Sequence, residues 1–343
     1  MLFVLNSHSL PQRVKYLNSL NAKSTSVQFG HFSSVLSLLS KRNEVTFQLL
    51  TSFTFSHTKQ SQMAEIYKLI HPVKHFNDYI SRDIRPDGRK FQEQRNLKLN
   101  VDSLKTADAS AVAKCGNTTV VCGIKLELAI PKAEEPDVGY LITNVELPPL
   151  CSSKYRPGPP SDHAQITSNL VSDIVINSKC VDMKDLCIVP DKLAWVLYCD
   201  MVCLDNDGSL VDACIMTLIA SLKTLSLPHV IYDHETEDFT VDTTVKKPLT
   251  IHGMPVATSF AVYQSNQSNV ILTDPSSYEE DMCGGIGSNL IVCYNNGTLC
   301  GVQKLGGRNL SKDIQEDALK IARQRSKLVK EVINTCIQNQ LKS

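Results

Sequence analysis

The chain has 343 residues, 42% hydrophobic and 20% charged, with 35 basic and 35 acidic side chains and a formal net charge of zero. This is the composition of an ordinary globular protein with a sizeable core, long enough for one large or two ordinary domains. It excludes nucleic-acid binding through overall charge: residues 63–343 carry 29 basic and 34 acidic groups, a net of −5, so any such contact is a local patch.

No apolar run reaches the roughly 18 residues that a membrane-spanning helix needs, and no membrane partner is expected. The twelve cysteines contain no C-x-x-C pair. Several lie in apolar runs (Cys122, Cys199, Cys203, Cys293), where a thiol behaves as a small hydrophobe. Free buried thiols in a reducing compartment are therefore expected rather than disulfides or zinc.

Residues 1–62 hold twelve Ser, one Gly and a single acid, without sustained periodicity. Such a segment is either a transit peptide or an unstructured or non-native extension, and "MAEIYKLIHPVKHF" from Met63 is the more natural start of a folded chain. Apolar residues at Ile66, Leu69, Ile70, Val73, Phe76 and Ile80 predict an amphipathic helix. "RPDGRK" is turn chemistry. "SAVAKCGNTTVVCGIKLELAI" predicts a hairpin turning at Gly116-Asn117. A long Pro-rich loop over 131–161 is expected next, and loops of that length are usually functional or interfacial. "DHAQITSNLVSDIVI" has helical spacing. A strand over Leu193–Leu204 and a helix over Ser209–Ser226 follow, then a polar acidic connector through "PHVIYDHETEDFTVDTTVKKP". "PVATSFAVY", "NVILTD" and "NLIVCYNNGTLCGVQ" predict strands, the last turning at Asn296-Gly297. Gly306-Gly307 predicts a turn into a C-terminal helix whose core stripe is Ile314, Ala318, Ile321, Leu328 and Val332. Hairpins followed by single helices suggest an α+β fold.

Two acid clusters draw the eye. In "LDNDGSLVDA", Asp205-Asn206-Asp207-Gly208 has the composition of a tight turn, and Ser209 with Asp212 three residues on has capping-box spacing. A turn and cap are favoured there over a metal or catalytic site. In "LTDPSSYEED", Asp274 and Glu280 either face each other around a divalent cation or form a solvated acidic turn. Lys154, Tyr155 and Arg156 make a small basic-aromatic patch, which suits a phosphate and a stacked base as well as it suits a plain solvent-facing loop.

"RPDGRKFQEQR", "ADASAVAKCGNTTVVCGIK", "NVELPPLCSSKYRPGPP", "LAWVLYCDMVCLDNDGSLVDA" and "PVATSFAVY", in this order, are similar to chains of the RNase PH family that build the eukaryotic RNA exosome ring. The resemblance spans about Met63 to Gln338. It implies an α+β, RNase PH-like fold of two similar sheet-plus-helix halves. The halves would cover about 83–228 and 229–310 of a domain over 63–343, with a C-terminal helix over about 311–338.

It also implies a test. Active members are phosphorolytic 3′→5′ exoribonucleases that hold phosphate with arginines, because one polyanion must approach another. Where they carry an arginine at the helix start this chain has Val211, followed by Asp212, and where they place an earlier arginine it has Asp162-His163. Asp274 and Glu280 match the family's catalytic acid positions, with Glu in place of the second Asp. The turn usually read Asp-Gly-Ser is Asp108-Ala109-Ser110 here. Arg156 matches a ring arginine facing the RNA path, with Lys154 as a weaker companion. The resemblance thus implies a non-catalytic subunit of the exosome core ring, without metal or cofactor, supporting rRNA maturation and mRNA turnover in nucleus, nucleolus and cytoplasm. Its implied partners are other RNase PH-like exosome subunits (exosome component five as pseudo-dimer mate), an S1/KH cap subunit and threaded RNA. The alternative is an active phosphorolytic 3′→5′ exoribonuclease.

Overall fold

The structure, a computed structural model, describes residues 65–342 apart from 234–237, 265–268, 286–288, 305 and 307–308. The N-terminal extension and the Gly306-Gly307 turn, whose second glycine is among the excepted residues, therefore lie outside what is described. The helix expected from Ile66 is interrupted: residues 65–70 are helical and a second piece, α1, spans Pro72–Ile80. Proline lacks the N–H and disfavours helical backbone in the residue before it, which explains the break at His71.

Phe76 onward forms one compact unit. Its first sheet holds β1 (Leu97–Val101), β2 (Ala109–Cys115), β3 (Thr118–Ala129), β4 (Tyr140–Glu146), β5 (Cys187–Val189) and β6 (Leu193–Asp205), ordered β1-β2-β3-β6-β4 with β5 pairing β6. β2 and β3 turn at Gly116-Asn117 as expected. The loop expected over 131–161 instead contains β4, which runs parallel to β6. Helix α2 (Asp162–Ser178) makes that crossover, starting at Ser161, whose side chain accepts from the Ala164 amide. The first residues of β6, Leu193 to Leu197, are all buried, so they show no alternation, whereas the strand alternates from Tyr198 onward.

Helix α3 (Leu210–Thr224) is buried at every position from Leu210 to Leu222, the pattern of a helix covered all round. It packs against β2 and β3 on one side and against β9 (Pro255–Gln264) of a second sheet on the other. The stretch expected as a connector folds as a two-stranded ribbon, β7 (Ser226–Tyr232) with β8 (Phe239–Pro248). Its alternation is weak because nearly all of β8 is exposed.

The second sheet is β10-β9-β11-β12, adding β10 (Asn269–Thr273), β11 (Leu290–Asn295) and β12 (Thr298–Lys304), with the Asn296-Gly297 turn where expected. A short helix α4 (Ser277–Met282) separates β10 from β11, and α5 (Lys312–Lys342) packs on β1, β9 and β11. The buried stripe of α5 is Ala318, Ile321, Ala322, Arg325, Val329 and Ile333, whereas Leu328 is exposed. The helix is rotated from the expected stripe so that Arg325 reaches two buried carboxylates. All twelve cysteines are free thiols, eight of them buried.

Candidate active site and nucleic-acid contact

Asp207 and Gly208 connect β6 to α3 in a turn held from outside. Thr118 Oγ accepts from the Asp207 amide (3.1 Å) and donates to the Gly208 carbonyl (2.8 Å). The Arg95 guanidinium donates to the carbonyls of Asp207 (2.7 Å) and Gly208 (3.2 Å). Gly208 has φ +83°, and a Cβ there would lie 2.5 Å from the Pro275 carbonyl oxygen, so the turn and the segment before α4 touch backbone to backbone.

Ser209 is also left-handed, at φ 51°. Its hydroxyl is directed away from the helix amides and donates to the Pro275 carbonyl (3.0 Å), and no side-chain cap forms. The expected capping box is therefore wrong here. The acid at the mouth of α3 comes from 71 residues away: the Ser209 amide donates to Glu280 Oε1 (2.9 Å), which also accepts from the Asn289 side-chain amide (3.0 Å). Burial pushes the Glu280 carboxyl up to about 7, offset in part by those two donors.

Asp212 is not a first-turn surface acid either. It is buried and accepts from the Ser259 amide (3.0 Å) and hydroxyl (2.7 Å), with Arg325 Nη2 at 3.4 Å. Burial raises its pKa, against the pull of Arg325.

Asp274 and Glu280 are satisfied by separate donors, and the turn is only partly solvated, with Glu280 half-buried and Asp281 exposed. Asp274 is 0% exposed and accepts from the Arg95 amide (2.8 Å), Nε (3.1 Å) and Nη2 (2.7 Å), with Arg325 Nη1 at 3.9 Å. Burial alone would raise its pKa, but the charge of Arg325 and the bonds and charge of Arg95 hold it well below the carboxylate range. Beside it, fully buried Arg85 grips both Glu279 oxygens and donates to the carbonyls of Thr273 (2.7 Å) and Asp274 (3.1 Å). Sequence reasoning missed these arginines. "RPDGRK" reads as a turn, although three arginines from Arg85 to Arg95 in an acidic body are a signal of internal pairing. Among the described residues, no group of three or more His, Cys, Asp or Glu side chains is placed to hold a metal ion.

Val211 is buried in the main core, so the position at the helix mouth presents no cation. Asp162 is exposed in the first turn of α2. His163 Nδ1 lies 2.6 Å from the Tyr155 hydroxyl, which accepts from the Asn206 side-chain amide (3.0 Å). Burial, reinforced by the charge of Lys154, lowers the His163 pKa to about 4. The imidazole is then neutral at pH 7, and its Nδ1 shares a hydrogen bond with the Tyr155 hydroxyl whose direction is set by the tautomer. Lys154 pairs with Asp281 (2.5 Å) and bonds Ser277 Oγ (3.3 Å), whereas Arg156 is exposed and has no hydrogen bond or ion pair with any described residue. The fold thus gathers Val211 and Glu280 at one helix mouth, keeps Asp274 beneath it behind Arg95, and ties His163 to the same turn through Tyr155 and Asn206. Arg156 stands apart in solvent.

Two sheets enclosing one buried helix, with acids around that helix's mouth, make up the RNase PH-like fold that the motifs implied. Residues 93–228 match the 3′ exoribonuclease family, domain 1, and residues 253–325 match its domain 2. The chain belongs to this RNase PH family of 3′ exoribonucleases. It is 34% identical over 271 residues to exosome complex component rrp43 of Schizosaccharomyces pombe, covering 79% of this chain and 98% of that protein. It is 35% identical over 223 residues to exosome complex component Rrp42 of Thermococcus onnurineus, covering 65% of this chain and 79% of that one. Among solved structures it is similar to a chain of the Archaeoglobus fulgidus exosome with RNA bound to the active site, at TM-score 0.67 and 26% identity, covering 78% of this chain and 98% of that chain.

Proposed function

We propose that this chain is a non-catalytic subunit of an RNA exosome ring, which shapes the RNA channel and docks neighbouring subunits. Its neighbours would be other RNase PH-like chains, with exosome component five as the expected mate and an S1/KH protein as the cap. The relatives named exosome components support the ring assignment.

The observation that carries the non-catalytic reading is the mouth of α3, where the chain's own Glu280 carboxylate takes the Ser209 amide. A helix N-terminus attracts anions through its free amides and dipole. Here an internal acid already occupies it, Val211 supplies no charge, and Asp212 lies one residue further in. The nearby guanidiniums, Arg95 and Arg325, are both engaged with buried carboxylates. Phosphate therefore meets two acids and no available cation, which is the wrong field for a nucleophile that must be held against RNA phosphate.

Incubating the purified chain, alone and in its ring, with an oligoribonucleotide and inorganic phosphate tests this. The expected result is no release of nucleoside diphosphates beyond that of a ring lacking the chain. Release that appears only when phosphate is supplied, and that follows this chain, would overturn the proposal in favour of an active exoribonuclease.

A further inference from the structure

Arg156 lies at the tip of a loop whose two preceding residues are both anchored. Lys154 reaches across to α4, to Asp281 and Ser277, so its charge is already partnered. Tyr155 turns the other way. Its ring packs on the main core and its hydroxyl lies between His163, in the first turn of α2, and Asn206, in the turn before α3. Asn206 also donates its backbone amide to the Cys151 carbonyl (3.1 Å), closing the base of the same loop.

Beyond Arg156 the chain reads Pro157-Gly158-Pro159-Pro160. Three prolines in four residues fix φ, and Pro157 restricts Arg156 itself to extended backbone. The Arg156 backbone is therefore fixed from both sides while its side chain stays free in solvent. That arrangement suits a cation that must meet a phosphate without first paying to order a loop.

We infer that Tyr155 is the positioning residue for Arg156: the hydroxyl held by His163 and Asn206 sets the loop so that the guanidinium meets one phosphate of single-stranded RNA. This rests on the ring-subunit reading, in which RNA passes this loop. It also assigns a role to His163. The imidazole that stands where active members keep an arginine serves as a hydrogen-bond partner for the loop, and Lys154 is a second anchor rather than an RNA contact.

The test is a double-mutant cycle on RNA binding by the assembled ring, using a single-stranded oligoribonucleotide and fluorescence anisotropy across a salt series. Arg156→Ala should weaken binding about fivefold at low salt and reduce the log–log salt slope by about 0.7, the value of one phosphate contact on a single strand. Tyr155→Phe changes no charge, yet should weaken binding about threefold and lower the slope in the same direction. In the Arg156→Ala background, Tyr155→Phe should do nothing further. Additive effects of the two substitutions would show that Tyr155 acts independently of Arg156 and overturn the inference, leaving the ring-subunit reading intact. No effect of Arg156→Ala at any salt concentration would remove the RNA contact itself, and the inference with it. Should Tyr155→Phe fail to enter the ring, His163→Leu removes the imidazole partner while sparing the Asn206 bond, and the same non-additivity is expected.

Discussion

Replacing Glu280 with Gln isolates the helix-mouth carboxylate. Both hydrogen bonds recorded for Glu280 converge on Oε1, so Gln keeps the acceptor and loses only the charge. The carboxyl lies at about 7 in the folded chain, against 4.5 for an unperturbed Glu. The folded state therefore binds the proton more tightly than the unfolded state. The resulting stability is fully present below about 4.5 and is lost as pH rises through about 7. A shift of that size corresponds to an upper value of about 3 kcal/mol at roughly 1.36 kcal/mol per unit. The side chain is only half-buried and water reaches part of it, so about 1–2 kcal/mol is expected.

Glu280→Gln should accordingly stabilise the chain by about 1–2 kcal/mol at pH 8 and be neutral near pH 4.5. Urea unfolding of wild type and variant in parallel from pH 4.5 to 8 reads this difference, because every other titrating group cancels in the subtraction. A difference that stays flat across that range, or a Gln variant less stable at pH 8, would refute the burial argument.

Two further substitutions probe the charge network. Arg85→Met leaves buried Glu279 with only the more distant Arg89 and the Ser276 donors and should cost about 3 kcal/mol, while adding Glu279→Gln should recover part of that loss. Equal midpoints for the single and double variants in urea would show that the pair is not coupled. Gly208→Ala places a Cβ against the backbone of Pro275 to Ser277 at a positive φ. It should destabilise by about 3 kcal/mol, read as a drop in urea midpoint at unchanged slope, with steric crowding the larger part.

How much of this was legible depended on whether the determinant was local. The hairpin turns at Gly116-Asn117 and Asn296-Gly297, the apolar runs of β6 and α3, and the free thiols all follow from residues adjacent in sequence, and the structure shows them where expected. β4 was lost inside a Pro-rich stretch because its partner, β6, lies some fifty residues away. The β7–β8 ribbon was lost because an exposed ribbon carries little alternation. At the candidate site the failures share one cause. Ser209 and Asp212 have capping-box spacing, but spacing says nothing of φ, and a left-handed Ser209 cannot use its hydroxyl that way. The expected core stripe of α5 does not include Arg325, because an arginine reads as surface until its two buried carboxylates are known.

Those carboxylates also tie the fold together. Asp274 joins three separate pieces of chain: the segment before β1 through Arg95, the end of β10 where it sits, and α5 through Arg325. Asp212 joins α3 to β9 through Ser259 and to α5 through the same arginine. Glu280 joins α4 to α3 through the Ser209 amide. Each bond crosses between elements distant in sequence, and removing one partner of a buried charge pair costs far more than the pair itself contributes. The acids would thus be needed for folding whether or not any reaction takes place, so their presence is not by itself evidence for catalysis. On the non-catalytic reading proposed above, the discriminating residues are those at the mouth of α3, where the chain presents Val211 and its own Glu280.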